Sequence, residues 1–355
     1  MNLKRTLAAA CLLTAALTLA AAAPLTARRG EAAPYKPLGR MVDAGGHRLH
    51  LYCTGRGGPT VLVENGTGDF SFDWSLVQPS VARFTRICTY DRAGYAWSEP
   101  GPTPRTFRQL TTELHTALHN AGVKGPYVVV GQSYGGFLAR AFARFYPVEV
   151  VGAVLVEAVS EDSRVIIGGS AVRLRELARG LPFPPPKSGA PDAGEKVSRA
   201  SAPESSPPET KLEPPLDKLP PRVQQIRLWA QSQPVYDAAR SAELDWSPEE
   251  LAQMYANRGK PEYTLGDIPL VVLTRGEGGY EDVPNASARE LEEERLRLQA
   301  ELARLSRNGR QVIDKNSGHN IHLEDPALVI DSIRQVVEAA RGKRALRATE
   351  SAPQR

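Results

Sequence analysis

Tyr127-Val-Val-Val-Gly-Gln-Ser-Tyr-Gly-Gly136 (YVVVGQSYGG) seats one serine between glycines just past an apolar run. Val128–Val130 reads as a buried strand, and Tyr134–Tyr146 as a helix stopped by Pro147. The chain must turn sharply at Ser133, and the flanking glycines remove side chains that would collide in such a turn. A serine hydroxyl is a weak nucleophile until a base can take its proton and the backbone presents it in the open. G-x-S-x-G at the carboxyl end of a strand and the start of a helix provides that presentation. A chance Gly-Ser turn is the plain alternative, but the strand and helix on either side favour Ser133 as a nucleophile.

The base has to come from elsewhere in the chain. Ser317-Gly-His-Asn320 places His319 in a loop between a short strand and the closing helix, with His322 three residues on as its rival. His115 and His119 share a helical face at i, i+4. They lack a nearby third ligand, so no metal is expected. An oxyanion forming at an attacked carbonyl needs backbone donors aimed at it. The amide of Tyr134, directly after Ser133, is one. The other is expected in Asn65-Gly-Thr-Gly68 after the third strand, at the Thr67 amide, although an ordinary Asn-Gly turn would read the same way.

Outward from the elbow, strands and helices alternate. Gly39–Asp43 and His47–Thr54 form a hairpin around Ala44-Gly45-Gly46. Thr60–Glu64, Arg86–Tyr90, Val151–Val156, Pro269–Leu273 and Gln311–Asp314 read as further strands. Helical spacing marks Trp74–Phe84, Phe107–Ala121, Ala286–Leu305 and Pro326–Ala340. That order means an α/β fold, a mostly parallel central sheet flanked by helices on both faces. It breaks between Val159 and Gly266, where Val165–Arg179 and Val223–Asn257 are helical candidates and Leu181–Pro221 is too rich in Pro, Ser and charge to bury a core. The expected organisation is a core over 34–158 and 267–341. A helical lid over 159–266 interrupts it, with a disordered segment at 181–221, and a flexible tail follows over 342–355.

The chain has 355 residues, 41% of them hydrophobic, and a net charge of +4. Nothing in that balance, and no basic patch interleaved with aromatics, calls for nucleic acid. Lys4 and Arg5 precede an apolar run, Leu7–Ala23, that ends in alanines, the pattern of a secretory signal over 1–23. The run is at the short end for a membrane span. The expectation is a secreted or periplasmic protein with no membrane span once mature, or an anchored one if the signal stays. Cys11 leaves with the signal, and the remaining pair, Cys53 and Cys88, invites a disulfide in an exported chain, two buried thiols being the alternative.

These motifs together resemble the α/β-hydrolase superfamily, its lidded serine-hydrolase branch, over about residues 39–160 and 266–340. Tyr90-Asp-Arg-Ala-Gly-Tyr-Ala-Trp-Ser98 is similar to the family's D-R-x-G-x-G-x-S loop, with Ala96 where glycine is usual. Gly318-His-Asn-Ile-His-Leu-Glu-Asp-Pro326 resembles its catalytic-histidine loop, which implies His319 as base and His322 as a structural residue. The family often has His-Gly at Asn65-Gly66. Its strand order puts Cys53 and Cys88 on neighbouring strands, where a bridge is feasible. The resemblance leaves the third member of a triad open. Many relatives carry an aspartate after the strand that here is PLVVL, and this chain has none at that place. A subset takes the acid from the end of the preceding strand, which implies Glu157, with Glu277 and then Asp282 as alternatives.

The implied chemistry is hydrolysis of a carboxylic ester, or a related acyl bond, of a small-molecule substrate through an acyl-serine, with no cofactor. Acyl transfer, cofactor-free oxidation, or a binding protein without turnover are the competing readings. A serine nucleophile argues against haloalkane or epoxide chemistry, which needs a carboxylate there.

Overall fold

A computed structural model describes residues 34–181, 211–276, 278–342 and 344–346. The chain divides into two units, residues 1–36 and 37–355, and all the elements below belong to the second. The predicted signal segment, most of the Pro-rich segment and Glu277 lie outside the described residues.

The strands are β1 (Arg40–Asp43), β2 (Arg48–Thr54), β3 (Thr60–Glu64), β4 (Ile87–Tyr90), β5 (Tyr127–Gln132), β6 (Val150–Val156), β7 (Arg164–Ile167), β8 (Ser170–Arg173), β9 (Leu270–Arg275) and β10 (Gly309–Asp314). The helices are α1 (Gln78–Val81), α2 (Phe107–Asn120), α3 (Gly135–Phe145), α4 (Pro221–Gln231), α5 (Tyr236–Leu244), α6 (Ser247–Asn257), α7 (Ala288–Ala303), α8 (Ile321–Glu324) and α9 (Pro326–Gly342). Eight strands form one sheet in the order β1-β2-β4-β3-β5-β6-β9-β10. Its first two pairings are antiparallel and the others parallel.

Both faces of this sheet are covered, and the strand sequences show why. In β5, Val128 and Val130 point to one face, where Val154, Val156, Val271 and Leu273 join them beneath Val329, Ile333 and Val336 of α9. Tyr127 and Val129 point to the other, with Leu62, Leu155 and Val272, beneath Leu114 and Leu118 of α2, Phe142 of α3 and Leu302 of α7. A strand buried on both faces needs apolar residues at every position, so TVLVE, YVVV and LVVL are runs rather than alternations. Burying each such Val or Leu contributes roughly 1.5–3 kcal/mol.

Two predicted helices are not there. Trp74–Phe84 holds only a 3-10 turn at Ser71–Trp74 and the single-turn α1, because Pro79 and the buried Trp74, Val77 and Val81 suit a loop tucked under α9. Val165–Arg179 forms the hairpin β7–β8, turning at Gly168-Gly169, both with positive φ, followed by a 3-10 turn at Leu174–Leu177. Its β-branched run and Gly-Gly turn are hairpin signals that outweigh the helical spacing. The segment predicted as disordered up to residue 221 is ordered from 211 onward, with Leu212 and Leu219 buried. The expected tail also begins packed, the Leu346 amide donating to Asn308 Oδ1 at 2.9 Å.

Cys53 and Cys88 face each other across β2 and β4 and are joined by a disulfide, with Cα atoms 4.0 Å apart. No described helix is long and apolar enough to cross a membrane.

Candidate active site

Ser133 stands between β5 and α3 with φ +52°, a left-handed conformation that costs a non-glycine residue roughly 1–3 kcal/mol. The neighbours hold it there. The Ser133 amide donates to Val156 O at 3.2 Å, and the Val159 amide donates to Ser133 O at 3.2 Å. A Cβ on Gly131 would lie 2.4 Å from Gly135 O, and one on Gly135 would lie 2.0 Å from Glu64 O. Neither site has room for any other residue, which is the local reason for G-x-S-x-G. Ser133 itself is half-buried, so its hydroxyl is within reach of a ligand.

The loop after β3 passes directly beside it. A Cβ on Gly66 would lie 2.3 Å from Gln132 Oε1 and 3.4 Å from the Ser133 Cβ. Among the described residues, the amides of Thr67 and Tyr134 donate to no protein acceptor, whereas the Asp69 amide, two residues after Thr67, donates to Gly66 O at 3.3 Å. Two amides without partners thus belong to the residues that follow Gly66 and Ser133, and an oxyanion requires donors of this kind.

The His319 loop sits against the elbow, with Gln132 Nε2 reaching His319 O at 3.5 Å. Its imidazole is exposed, and its ring forms no hydrogen bond with Ser133 or Glu157 in this structure. The atoms crowded around the loop hold it below the ordinary imidazole value of 6.5, the Arg275 guanidinium adds to this, and Asp69 opposes it. His322 is buried, stacks on Trp74 with ring centroids 4.9 Å apart, and is pushed down to about 4, chiefly by burial.

Glu157 ends β6 at φ +42°, a second strained corner beside the elbow. The expected bond from Glu157 to His319 is absent. Glu157 Oε2 accepts from the Arg275 amide at 2.8 Å and Oε1 from Arg295 Nη1 at 3.0 Å, which ties the carboxylate to the core while leaving each oxygen able to accept a further donor. Burial raises its pKa, against the pull of Arg295. A salt bridge to Arg164, the plain structural alternative for a glutamate at this strand end, is also not made, since Arg164 pairs with Glu294 at 2.9 Å. Asp282 is exposed and accepts from the Ala288 amide at 2.6 Å, ahead of α7, and makes no bond to His319. His115 Nε2 pairs with Glu149 at 2.9 Å, and no described cluster of His, Cys, Asp and Glu could hold a metal ion.

Several residues around the site carried no signal of their own in the sequence. Arg92 is buried and donates to Asn65 O and Gly66 O, each at 2.8 Å. Arg227 of α4 reaches Asp69 at 3.1 Å and also pairs with Asp73, whose carboxyl burial raises to about 6 against Arg227. Glu64, under the loop, accepts from Tyr90 Oη at 2.6 Å and is pushed up to about 7 by burial. Only the D-R pair of the motif could have pointed to one of them, Arg92. The Asp91 of that pair instead fixes buried His50, Oδ2 to Nδ1 at 2.7 Å.

The chain belongs to the alpha/beta hydrolase family, whose profile matches residues 61–332. Over 129 residues it is 35% identical to a probable transporter, efuK, of Hormonema carpetanum, covering 34% of this chain and 18% of that one. The chain thus spans less than a fifth of that relative's length. It is 26% identical over 286 residues to the YqjL protein of Bacillus subtilis, covering 81% and 86%. It is 32% identical over 147 residues to a 2-hydroxy-6-oxo-2,4-heptadienoate hydrolase of Pseudomonas putida, covering 38% and 50%. Among solved structures, a thermophilic esterase from Thermogutta terrifontis superposes with TM-score 0.54 at 20% identity, covering 85% and 98%. An enol-lactonase from Burkholderia xenovorans superposes with TM-score 0.54 at 16% identity, covering 84% and 100%. These superpositions establish the fold.

Proposed function

We propose that this chain is an exported serine hydrolase that cleaves a carboxylic ester, or a related acyl bond such as a lactone, in a small molecule. The observation that carries the reading is Ser133 itself: a strained, half-buried serine with unpartnered amides at Thr67 and Tyr134 beside it. A structural serine would not need that strain. The Pseudomonas putida relative hydrolyses by name, and two of the structural neighbours are an esterase and an enol-lactonase.

In this mechanism Ser133 Oγ attacks the acyl carbon while His319 Nε2 takes the proton. The carbonyl oxygen, now an oxyanion, rests on the Thr67 and Tyr134 amides. The C–O bond to the leaving group then breaks, and His319 gives its proton to the departing oxygen. Water, deprotonated by His319, attacks the acyl-serine and releases the acid. His319 turns inward from its exposed position when substrate displaces solvent. Catalytic hydrogen bonds are often long or unmade before substrate binds. Glu157 is the proposed carboxylate partner that then receives the imidazole Nδ1–H, from the corner next to the elbow.

A panel of p-nitrophenyl esters, lactones and amides on the purified protein tests this. Turnover of at least one acyl class by the wild type, abolished in Ser133→Ala, is the expected result. Equal rates for the two proteins, or no turnover of any member, would sink it.

A further inference from the structure

Resting on that reading, we infer that the Glu243 carboxylate of α5 aims the Thr67 donor of the oxyanion site by holding Arg92, while its backbone carbonyl seats the Tyr134 side chain. Glu243 is therefore a positioning residue supplied by the inserted segment.

The argument starts from the peptide plane. The Gly66 carbonyl and the Thr67 amide belong to one planar trans unit, so they point in opposite directions. Arg92 Nη2 holds Gly66 O at 2.8 Å, and Nη1 holds Asn65 O at 2.8 Å. Pinning the carbonyl on one side fixes where the Thr67 N–H points on the other. The loop Asn65-Gly-Thr-Gly68 is rich in glycine, and the other bond to the Gly66 carbonyl, from the Asp69 amide, is longer at 3.3 Å, so the charged Arg92 donor is the stronger restraint on that direction.

Arg92 in turn is held by Glu243. Its Nε donates to Glu243 Oε1 at 2.7 Å, and Tyr95 Oη donates to Glu243 Oε2 at 2.9 Å. Both oxygens of a fully buried carboxylate are thus occupied by core residues. The second donor residue meets the same glutamate, because Tyr134 Oη donates to Glu243 O at 3.1 Å. Ser247 Oγ donates to that carbonyl at 2.8 Å and keeps it in place. A lid tie that served only to hold the segment down could have landed anywhere on the core. This one lands on Tyr134 and on Arg92, the residue that holds the carbonyl of the Gly66–Thr67 peptide. When α5 lifts, Arg92 loses its counter-charge in a buried site and the carbonyls lose a fixed donor, so the oxyanion site and the seated lid exist together.

The test compares wild type, Glu243→Gln and Tyr95→Phe, with p-nitrophenyl butyrate as substrate and rates counted per site titrated by a fluorophosphonate. A trifluoromethyl ketone, which binds as a hemiketal oxyanion, reports on the oxyanion site directly. Losing one oxyanion donor outright typically costs about 100- to 1,000-fold in kcat. Glu243→Gln keeps the backbone carbonyl that Tyr134 Oη meets and loosens only the Arg92 arm, so misaiming the Thr67 amide is expected to lower kcat roughly 10- to 100-fold, with KM changed less than about threefold and ketone affinity weakened in parallel. Tyr95→Phe, which deletes one bond and spares the ion pair, serves if Glu243→Gln does not fold. Its expected mark is weaker ketone binding at unchanged KM. Unchanged kcat per titrated site and unchanged ketone affinity in the folded variants, with only the melting temperature lowered, overturn the inference and leave the hydrolase reading intact. A wild type that neither takes the phosphonate nor turns over the ester overturns both.

Discussion

A serine in the left-handed region, an exposed imidazole and a carboxylate held by two arginines make three different demands on the residues around Ser133. The strain at Ser133 was legible in advance, because the glycines at 131 and 135 mark close backbone approach on both sides. The position of His319 in its loop was legible too, but not the orientation of its ring, which depends on solvent and on what fills the crevice. Its acidity leads to a prediction. His319 must be neutral to accept the Ser133 proton, and the surrounding atoms and Arg275 depress its pKa below 6.5. Activity is therefore present above that depressed value and lost as pH falls through it. A kcat/KM profile on any turned-over ester should place its acidic limb below 6.5; a limb above it would contradict the account. For Glu157, replacement by Gln should lower kcat per titrated site about 10³- to 10⁴-fold, the effect of losing the group that orients the imidazole. Glu277→Gln should retain near-normal kcat, and the reverse pattern would move the acid to residue 277. Glu157→Gln also leaves Arg295 partly uncompensated, so counting rates per titrated site separates catalysis from folding.

At the scale of elements, runs and turns were read more securely than helical periodicity. TVLVE, YVVV and LVVL were recognisable as strands because a strand covered on both faces is apolar through its middle, with polar residues such as Thr60 and Glu64 confined to its ends. The periodic Trp74, Val77 and Val81 misled, since three buried residues at that spacing also line a loop packed beneath a helix. RVIIGGSAVR misled for the opposite reason: a hairpin signal was weighed below a spacing. Ala96 was marked in the sequence as a place where glycine is usual, and its φ of +44° explains that preference. The Cys53–Cys88 bridge pins β2 to β4 across a separation of 35 residues. Closing a loop of that length is worth roughly 3–4 kcal/mol in the chain-entropy description. The double variant Cys53→Ala/Cys88→Ala should melt several degrees lower while keeping its kcat. A melting temperature equal to that of the oxidised wild type would show that the bridge adds nothing.

Residues 37–355 form a sheet whose carboxyl edge carries the candidate site, and the segment between β8 and β9 is keyed to it by buried polar pairs. Arg92–Glu243, Arg227–Asp73 and the Glu250 carboxylate that accepts from the Phe107 amide at 2.8 Å all join α4, α5 or α6 to the core. None of these pairings was legible beforehand, because partners about 140–155 residues apart meet only after the sheet forms. Burial pushes Glu250 from 4.5 up to about 8, against its bond from Phe107. A carboxyl with a raised folded-state pKa binds more protons folded than unfolded, so its contribution to stability is present at pH 4.5 and lost as pH rises toward 8. Melting temperatures across that window should fall more steeply for the wild type than for Glu250→Gln, and parallel curves would contradict this. The most direct test of the central claim is covalent. The folded protein is treated with a fluorophosphonate, digested, and the modified residue located by mass spectrometry. The account predicts one adduct, on Ser133, absent from Ser133→Ala. An adduct on another residue, or a folded protein that takes up no label, would contradict it.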